Sequence, residues 1–334
     1  MSPVIRNLSN AKSRLKDLYN PIAAEMGEVE AVLRGQMRSD YAFVDELVRY
    51  GCHLGGKRLR PALLLLMGKA VGELDSAHIT LGAVVEMIHA ATLIHDDVLD
   101  EATTRRHLAT VNSRWDNEAS ILLGDFLFSR ALCLASTLDN TYACRVIGES
   151  TSVLCEGELR QKGTRGDFGL SEDDYLSIIE AKTAELCGCS CKLGAHFAGA
   201  SEATEDLMEA YGRNLGTAFQ IADDVLDVVG DEAATGKSLG TDLDKQKPTL
   251  PVIRVLELVE ESERERLQQA LEGESELRHE ILAEYLDRYD AISYAREKAA
   301  AYADRAREQL VDLPPDAPVE TLRLLTDFVI TRCI

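Results

Sequence analysis

Two acidic pentads of the pattern Asp-Asp-x-x-Asp occupy residues 96–100 and 223–227, and each ends a long apolar stretch with helical periodicity. On a helix, residues four apart lie on the same face, so the first and last aspartates of each pentad should lie side by side, with the second beside them. Paired carboxylate oxygens are ligands that Mg²⁺ takes together with substrate phosphates, so two facing clusters could hold a polyphosphate between metal ions. The candidate metal ligands are Asp96, Asp97 and Asp100 in the first pentad, and Asp223, Asp224 and Asp227 in the second.

The cations that bind a polyphosphate must be concentrated locally, because the chain has a formal net charge of -21. Lys57 and Arg60 follow a glycine pair and share one helical face, while Arg58 points elsewhere. Arg105 and Arg106 follow the first pentad, and arginine forks match phosphate oxygens. Each could be a solvated surface charge by itself, but a nearby metal–phosphate site favours function for the arginine pair.

Further polar residues lie on the helices that lead to the pentads or pack near them. His89 lies two turns before Asp96 and could donate to a phosphate oxygen, although a lone histidine on an apolar helix is more often a satisfied core residue. Gln220 shares a face with the second pentad, and its amide oxygen could face developing positive charge. Lys182 precedes Thr183 within a helix, where a salt bridge to a neighbouring glutamate is the simpler role.

Two more lysines, Lys237 and Lys247, lie in a polar stretch between residues 230 and 251. Such a loop could be merely solvated, or it could close over a bound phosphate as a lid.

Helical periodicity dominates the chain, and no run of alternating β-branched residues predicts a strand. No linker-like change of composition divides the sequence, so we expect one all-α domain over residues 1–334. The helices are expected at about 10–36, 40–51, 59–71, 76–101, 117–138, 140–162, 172–200, 204–229, 250–270, 275–312 with one possible break, and 318–332.

The composition excludes several classes of protein. The acidic charge argues against nucleic-acid binding, since phosphates need a basic surface. The 8 cysteines form no convincing disulfide framework. We find no signal peptide and no apolar run long enough to span a membrane, so a reducing cytoplasm is the expected location.

Together these motifs resemble one family, the trans-type polyprenyl diphosphate synthases. The resemblance covers nearly the whole chain, from Gly-Gly-Lys-Arg-Leu-Arg-Pro at 55–61 through both pentads to the stretch at 237–251. It implies the isoprenoid synthase type I fold, a single-domain bundle of roughly ten or more helices around a central cavity. It also implies a homodimer that binds several Mg²⁺ ions, with Mn²⁺ as a substitute, and delivers a lipid product to membranes without an integral membrane segment.

Members of this family join isopentenyl diphosphate head to tail to an allylic diphosphate (geranyl, farnesyl or geranylgeranyl) through an allylic carbocation. The resemblance assigns Lys57, Arg60, His89 and Arg106 to isopentenyl diphosphate. It assigns Arg105, Lys182, Thr183, Gln220, Lys237 and Lys247 to the allylic diphosphate, with Thr183 and Gln220 as dipoles that stabilise the cation.

The helix before the first pentad bears on product length. Thr92 and Ala91 lie about one turn, or roughly 5.4 Å, below the aspartates. Short-chain members of the family often have a bulky aromatic there, so these small residues, with Ile88 below them, favour a long product of octaprenyl length or more, of the kind attached to quinones. A geranylgeranyl or hexaprenyl product stays open.

Two positions depart from the family pattern. His107 stands where the family commonly has glycine, and Gln246 stands where a glycine usually precedes the loop lysine. Both put the closing of a loop in doubt more than the activity. A non-catalytic partner subunit and a class I terpene cyclase are the alternatives, and the intact second pentad argues against both.

Overall fold

The computed structural model describes residues 17–53, 56–106, 108–229, 241–272 and 275–331, and nearly all of them are helical. The expected all-α class is therefore confirmed. A short 3₁₀ turn, Asn20–Ile22, comes first. The helices are α1 (Ala23–Gln36), α2 (Ala42–His53), α3 (Leu59–Val71), α4 (Ser76–Leu99), α5 (Val111–Arg114), α6 (Asn117–Ser136), α7 (Thr141–Gly163), α8 (Glu172–Ile179), α9 (Glu185–Phe197), α10 (Glu202–Val229), α11 (Thr241–Asp244), α12 (Leu250–Leu258), α13 (Glu261–Glu272), α14 (Ser275–Arg288), α15 (Ala291–Glu308) and α16 (Ala317–Thr331).

Helix α4 forms the centre of the bundle and ends at the first pentad. It begins with a capping box, in which the Asp75 carboxylate accepts from the backbone of Ala77 and His78. Most of its side chains are buried on all sides, between α3, α6 and α9. The Asp100 backbone N–H donates to the Asp96 carbonyl, so the pentad is the last turn of a rigid helix.

Helix α10 carries the second pentad in the same way. Its 28 residues pack against α9 and α15, and the pentad falls in its last two turns. Most of the apolar residues of both helices belong to one large core. A second, smaller core joins Phe168 and Leu243 to buried residues of α12–α15.

The helices differ from the sequence-based bounds at two internal points. The helix expected at 250–270 breaks at Val259, which is extended. The one break allowed for within 275–312 falls at Asp290, whose φ of 49° is left-handed. The helix expected at 172–200 is interrupted by a π turn, Glu180–Ala184.

A small antiparallel ladder follows the first pentad, where the sequence predicted no strand. The two-residue strands β1 (Thr104–Arg105) and β2 (Leu108–Ala109) pair in the described residues. The ladder folds the chain back directly after α4 and so holds Arg105 close to the pentad. A two-residue strand is too short to leave a periodic signal.

Two further expectations have clear outcomes. Helices α4 and α6 are long and apolar enough to cross a membrane by length and composition, so the expectation that no run reaches that length is wrong. In the most apolar part of α4, 72% lies inside the protein, against 44% for α6, and core helices commonly pass this test. Cys133, Cys144, Cys155, Cys187, Cys189 and Cys191 are free thiols, as expected.

Candidate active site

The second aspartate of the first pentad, Asp97, points into the protein interior. Asp97 is 1% exposed, and Arg105 brings both Nε and Nη2 within 2.8 Å of its Oδ1 atom. Burial raises the pKa of the Asp97 carboxyl, and the Arg105 charge opposes that rise. Asp97 therefore anchors Arg105, whereas Asp96 and Asp100 stay partly exposed.

The last aspartate of the first pentad attracts several cations. Arg165 Nη2 lies 2.9 Å from Asp100 Oδ1, while the ammonium groups of Lys247 and Lys245 lie 3.2 and 3.4 Å from Oδ2. Although burial raises the pKa of Asp100, the charges of Lys247 and Lys245 bring it below its usual value. Three cations therefore converge on one ionised carboxylate at the edge of the site.

Lys182 is held between helices rather than by its neighbours in sequence. Its ammonium group lies 2.7 Å from Glu158 Oε1, 3.0 Å from Gln161 Oε1 and 3.8 Å from Asp96 Oδ2. Burial lowers the pKa of Lys182, but the charges of Asp96 and Glu158 raise it overall. The simpler role, a salt bridge along its own helix, is therefore wrong.

The π turn that carries Lys182 and Thr183 fits tightly between two helices. A Cβ atom on Gly157 of α7 would lie 2.7 Å from the Lys182 backbone nitrogen, and one on Gly216 of α10 would lie 2.6 Å from the Ala184 Cα. Only glycines let the three backbones approach so closely. A π turn inserts an extra residue into a helix, and such turns often occur at functional sites.

A hydrogen-bond chain runs from the π turn to the second pentad. Thr183 donates to Gln220 Oε1 at 2.9 Å, Gln220 Nε2 donates to Asp224 Oδ1 at 2.7 Å, and Tyr175 donates to Asp224 Oδ2 at 2.6 Å. Asp224 is 4% exposed, and burial, with the charge of Asp242, raises its pKa to about 8. Asp224 therefore fixes the Gln220 amide instead of facing the open site.

The other aspartates of the second pentad stay partly exposed. Asp223 and Asp227 lie on the open side of α10, and Asp227 Oδ2 accepts from the Asp242 backbone N–H at 3.1 Å. A cavity of about 80 Å³ lies beside the inner aspartate, Asp224. Among the residues that line it are Tyr175, Lys182, Gln220, Asp224 and Lys247.

The residues expected to bind the second diphosphate also come together. Positive charges of Arg60, Arg106, Arg105 and Arg58 act on His89. Burial and these charges, in that order, lower the pKa of His89 well below its usual value, so its imidazole is neutral. Lys57 is exposed, with its ammonium group 5.5 Å from the centre of the Phe328 ring on α16.

The residues below the first pentad are small or fully inside. Ile88 is 0% and Ala91 2% exposed. Thr92 is partly exposed and donates its hydroxyl to the His89 carbonyl at 2.9 Å. The described structure thus places Ala91 and Thr92 on the last turns of α4 before the aspartates.

Gln246 occupies a left-handed turn, with φ at 53°. Its carbonyl accepts from the Gly166 backbone N–H at 2.8 Å, which joins the two loops that carry cations to Asp100. Glycine adopts this conformation most readily, so Gln246, which stands where the family usually has glycine, holds the turn at a backbone cost. Lys237 and His107 lie outside the described residues.

Sequence reasoning missed several residues of the site. Glu158 and Gln161 hold Lys182, Arg165 and Lys245 contact Asp100, and Tyr175 contacts Asp224. Glu158 and Gln161 lie three apart on α7, a spacing that could have suggested a shared polar face. Tyr175 left no comparable signal.

The donor set suits hard divalent cations that also bind a substrate. In the described ranges, no group of three or more histidine, cysteine or acidic residues lies close enough to enclose a metal ion. Mg²⁺ seldom needs such an enclosure, since it usually binds one or two carboxylates together with waters and phosphate oxygens. The partly exposed Asp96, Asp100, Asp223 and Asp227 fit that mode, whereas Asp97 and Asp224 are committed to protein partners.

A helical bundle with two acidic pentads, cations from two loops and a Thr–Gln–Asp chain defines an all-α enzyme of diphosphate chemistry. The polyprenyl synthetase family model matches residues 42–287. The chain is 35% identical over 95% of its length to octaprenyl diphosphate synthase of Escherichia coli, covering 99% of that protein.

Solved structures agree with this relationship. The fold superposes on a decaprenyl diphosphate synthase from Rhodobacter capsulatus with a TM-score of 0.90, at 34% identity, covering 96% of this chain and 99% of that one. It also superposes on a polyprenyl synthase from Caulobacter crescentus in complex with calcium and isoprenyl diphosphate, with a TM-score of 0.91, at 34% identity, covering 96% and 98%.

The chain therefore belongs to the polyprenyl synthetase family. It is a prenyltransferase, a polyprenyl diphosphate synthase of a family that depends on divalent metal ions.

Proposed function

We propose that the chain condenses isopentenyl diphosphate head to tail with a geranyl, farnesyl or geranylgeranyl diphosphate to build an all-trans polyprenyl diphosphate. One observation carries this proposal. Lys182 and Thr183 are consecutive residues of one π turn, and the first reaches Asp96 of the first pentad while the second reaches Gln220 above the second. The turn thus places a cation and a dipole on the two sides of a single reacting centre.

The allylic diphosphate would bind between the pentads. Asp96, Asp100, Asp223 and Asp227 would hold Mg²⁺ ions, with Mn²⁺ as a substitute, and these ions, when bound, neutralise the leaving pyrophosphate. Arg105 and Lys182 would bind its oxygens from the protein side, with Lys245 and Lys247 of the loop and, by resemblance, Lys237. Their charges are set in advance by Asp97, Glu158 and Asp100, so little reorganisation is needed.

The carbocation would be stabilised by oriented dipoles. Gln220 cannot turn its amide, because Asp224 holds the nitrogen end, and the oxygen end accepts from Thr183. A fixed dipole of this kind stabilises a nearby positive charge without supplying a nucleophile. Lys57, Arg60, His89 and Arg106 would hold isopentenyl diphosphate, whose double bond attacks the cation while the released pyrophosphate takes the proton.

The product is proposed to be a long chain for a quinone, of octaprenyl length or more. Small side chains at Ala91 and Thr92 support this, as do relatives named for octaprenyl and decaprenyl products. A phenylalanine at residue 92 would narrow the passage below the pentad. The variant Thr92→Phe should therefore stop at shorter products while keeping condensation, whereas Thr92→Ser should keep the product length of the parent.

The test is a product assay with each allylic primer in turn, Mg²⁺ and labelled isopentenyl diphosphate, followed by sizing of the dephosphorylated chains. A ladder that ends at octaprenyl length or beyond supports the long-chain proposal. A stop at geranylgeranyl or hexaprenyl length would overturn the length and keep the reaction. No product with any primer would overturn the reaction itself.

We further propose that the whole chain is one polyprenyl synthetase domain and works as a homodimer in the cytoplasm. Helices α6 and α7 expose large apolar side chains at Ile121, Leu122, Val153 and Leu159, which a second copy could cover. Sedimentation of the intact chain tests this. A dimer that Leu122→Lys converts to a monomer would support the proposal, and a monomeric parent chain would contradict it.

A further inference from the structure

Glu86 is a buried carboxylate on α4, one turn before His89, and the proposed reaction gives it no direct role. It is 3% exposed, and its Oε1 atom lies 2.6 Å from Arg58 Nη1. In the described residues its Oε2 atom has no hydrogen-bond partner. A buried ion pair is weak evidence for stability, since replacing such a pair with apolar residues is often neutral or better. Its presence beside a diphosphate site therefore calls for another explanation.

Arg58 sits in an unfavourable backbone conformation at the start of α3. Its φ is 53°, which is left-handed, and side chains other than glycine adopt this region at a cost. The guanidinium is fixed from two sides, by Glu86 and by Glu30, whose Oε1 atom lies 2.6 Å from Arg58 Nε. The ion pairs thus hold a turn that sends the Arg58 side chain inward, while Lys57 just before it stays exposed.

The same turn is tied at one more atom. The Tyr19 hydroxyl donates to the Lys57 carbonyl at 3.0 Å. A Cβ atom on Gly56 would lie 2.9 Å from the Arg106 guanidinium, so the turn also lies directly against Arg106. The backbone that carries Lys57 is therefore fixed next to Arg106, another of the four residues assigned to isopentenyl diphosphate.

The charge of Glu86 also acts on Arg60 and Arg106, two of the four residues assigned to isopentenyl diphosphate. Burial raises the pKa of Glu86, and the positive charges of Arg58 and Arg60 oppose the rise. For Arg106, burial and the Arg105 charge lower the pKa, and the Glu86 charge opposes that change. Paired with Arg58 at 2.6 Å, the Glu86 carboxylate lies among cations that would otherwise repel one another before any diphosphate binds.

We propose that Glu86, acting through Arg58, is a positioning residue for isopentenyl diphosphate. The Glu86–Arg58 pair holds the turn at residues 56–60 and balances the neighbouring arginines. The four binding residues, Lys57, Arg60, His89 and Arg106, then converge on one diphosphate, which Glu86 itself does not contact. This inference rests on the proposed function, because it uses the assignment of those four residues to isopentenyl diphosphate.

The variant Glu86→Gln keeps the shape of the side chain and removes its charge. We expect the KM for isopentenyl diphosphate to rise about tenfold or more, since a small misplacement of binding groups has effects of this size or larger. The KM for farnesyl diphosphate, measured at saturating isopentenyl diphosphate, should change by no more than about twofold. Steady-state kinetics on the full chain with Mg²⁺ measure both values, and circular dichroism checks that the helix content is kept.

Three further variants separate positioning from general packing. Glu30→Gln removes the more exposed partner of Arg58 and should have a smaller effect in the same direction. Tyr19→Phe removes only the neutral hydrogen bond to the Lys57 carbonyl and should raise the KM for isopentenyl diphosphate less than Glu86→Gln does. The double variant Glu86→Gln with Arg58→Gln should raise the KM for isopentenyl diphosphate by less than the product of the two single effects, because the two residues act as a pair.

The opposite results are equally clear. If Glu86→Gln leaves both KM values unchanged, or changes both in parallel with a fall in thermal stability, Glu86 is merely structural and the proposal is overturned. If Glu86→Gln does not fold, Glu30→Gln and the pair Arg58→Lys and Arg58→Gln decide it: partial rescue by lysine of the KM for isopentenyl diphosphate supports positioning, and equal effects contradict it. Failure of the underlying assignment is separate, since Lys57→Ala would then leave the KM for isopentenyl diphosphate unchanged while product still formed.

Discussion

The two pentads have the same sequence pattern, but the partners of their inner aspartates differ. Around the first, the partners are cations: Arg105 on Asp97, Lys182 near Asp96, and Arg165, Lys245 and Lys247 on Asp100. Around the second, the partners recorded for Asp224 and Asp227 are neutral donors: a tyrosine, a glutamine amide and a backbone N–H. In the described residues, the first pentad thus lies among basic side chains, and Asp224 of the second pentad holds the Gln220 amide.

The second aspartate shows the difference most clearly. Asp97 and Asp224 occupy equivalent places, and both are almost fully buried. Asp97 accepts from the charged guanidinium of Arg105. Asp224 accepts from a neutral hydroxyl and a neutral amide, and burial raises the pKa of Asp224 to about 8. We propose that the pattern Asp-Asp-x-x-Asp combines two functions: outer aspartates for metal and substrate, and an inner aspartate for positioning.

Removal of divalent ions should have the largest effect. With EDTA in excess, we expect product formation to fall to background, because the outer aspartates of both pentads would lose the ions that neutralise pyrophosphate. Added Mg²⁺ or Mn²⁺ should restore it. Helix content and the thermal midpoint should change little, since the inner aspartates are already satisfied by protein partners. Full activity in EDTA would contradict the metal assignment for both pentads together.

Loss of one outer aspartate should come next. For Asp96→Ala we expect kcat to fall by about three orders of magnitude, from several kcal/mol of lost charge stabilisation in the transition state. The helix content should be unchanged by circular dichroism. Asp287→Ala, an exposed aspartate on α14, is the control and should keep full activity.

Asp223→Ala makes the same test at the second pentad. If the two outer aspartates act alike, its loss in kcat should match that of Asp96→Ala within about tenfold. Retained activity in either variant would remove that pentad from the metal site.

The inner aspartates should give smaller and different effects. In Asp224→Asn one of the two acceptor oxygens becomes an amide donor, which faces either Tyr175 or Gln220. The Gln220 dipole is then free to turn, and we expect kcat to fall about 10- to 100-fold, within the range known for the loss of oriented donors. KM for farnesyl diphosphate should stay nearly constant, because no binding charge is lost.

Asp97→Asn is the matched variant in the first pentad. It frees Arg105, so its effect should appear mainly in the KM for the allylic diphosphate rather than in kcat. Equal effects of the two variants on both constants would mean that the inner aspartates do not differ in function.

Much of this site was readable from the sequence because it lies within single helices. Spacing alone put Gln220 on the face of the second pentad, and the structure shows the resulting contact to Asp224, four residues on. Contacts between distant elements left no such signal. Tyr175 lies 49 residues from Asp224, and Arg165 lies 65 residues from Asp100. The direction of Asp97 also depends on Arg105, which the unpredicted ladder β1–β2 brings back to α4.

The π turn was unpredictable for a different reason. Residues 180–184 have ordinary helical composition, and the extra residue is absorbed only where two glycines of other helices let the backbone in. The family resemblance made Lys182 and Thr183 candidate site residues, while their placement between Asp96 and Gln220 depends on the three-dimensional packing of α7 and α10.

The smallest effect concerns the loop whose lysine side chains, Lys245 and Lys247, contact Asp100 of the first pentad. Gln246 holds a left-handed φ of 53° between Lys245 and Lys247. Gln246→Gly should relieve that backbone cost, partly offset by the greater freedom of glycine in the unfolded chain, and so raise the free energy of unfolding by about 0.5–1 kcal/mol. Thermal unfolding measures this change.

Asp290→Gly is the control for that loop, because Asp290 has nearly the same φ, 49°, in a turn between α14 and α15. It should gain similar stability with unchanged kinetics. If both variants are equally stabilised but only Gln246→Gly alters the KM for the allylic diphosphate, the strained turn serves to hold Lys245 and Lys247 against Asp100. A loss of stability in Gln246→Gly alone would mean that contacts of the glutamine outweigh its backbone conformation, and the loop would then depend on that side chain rather than on the turn.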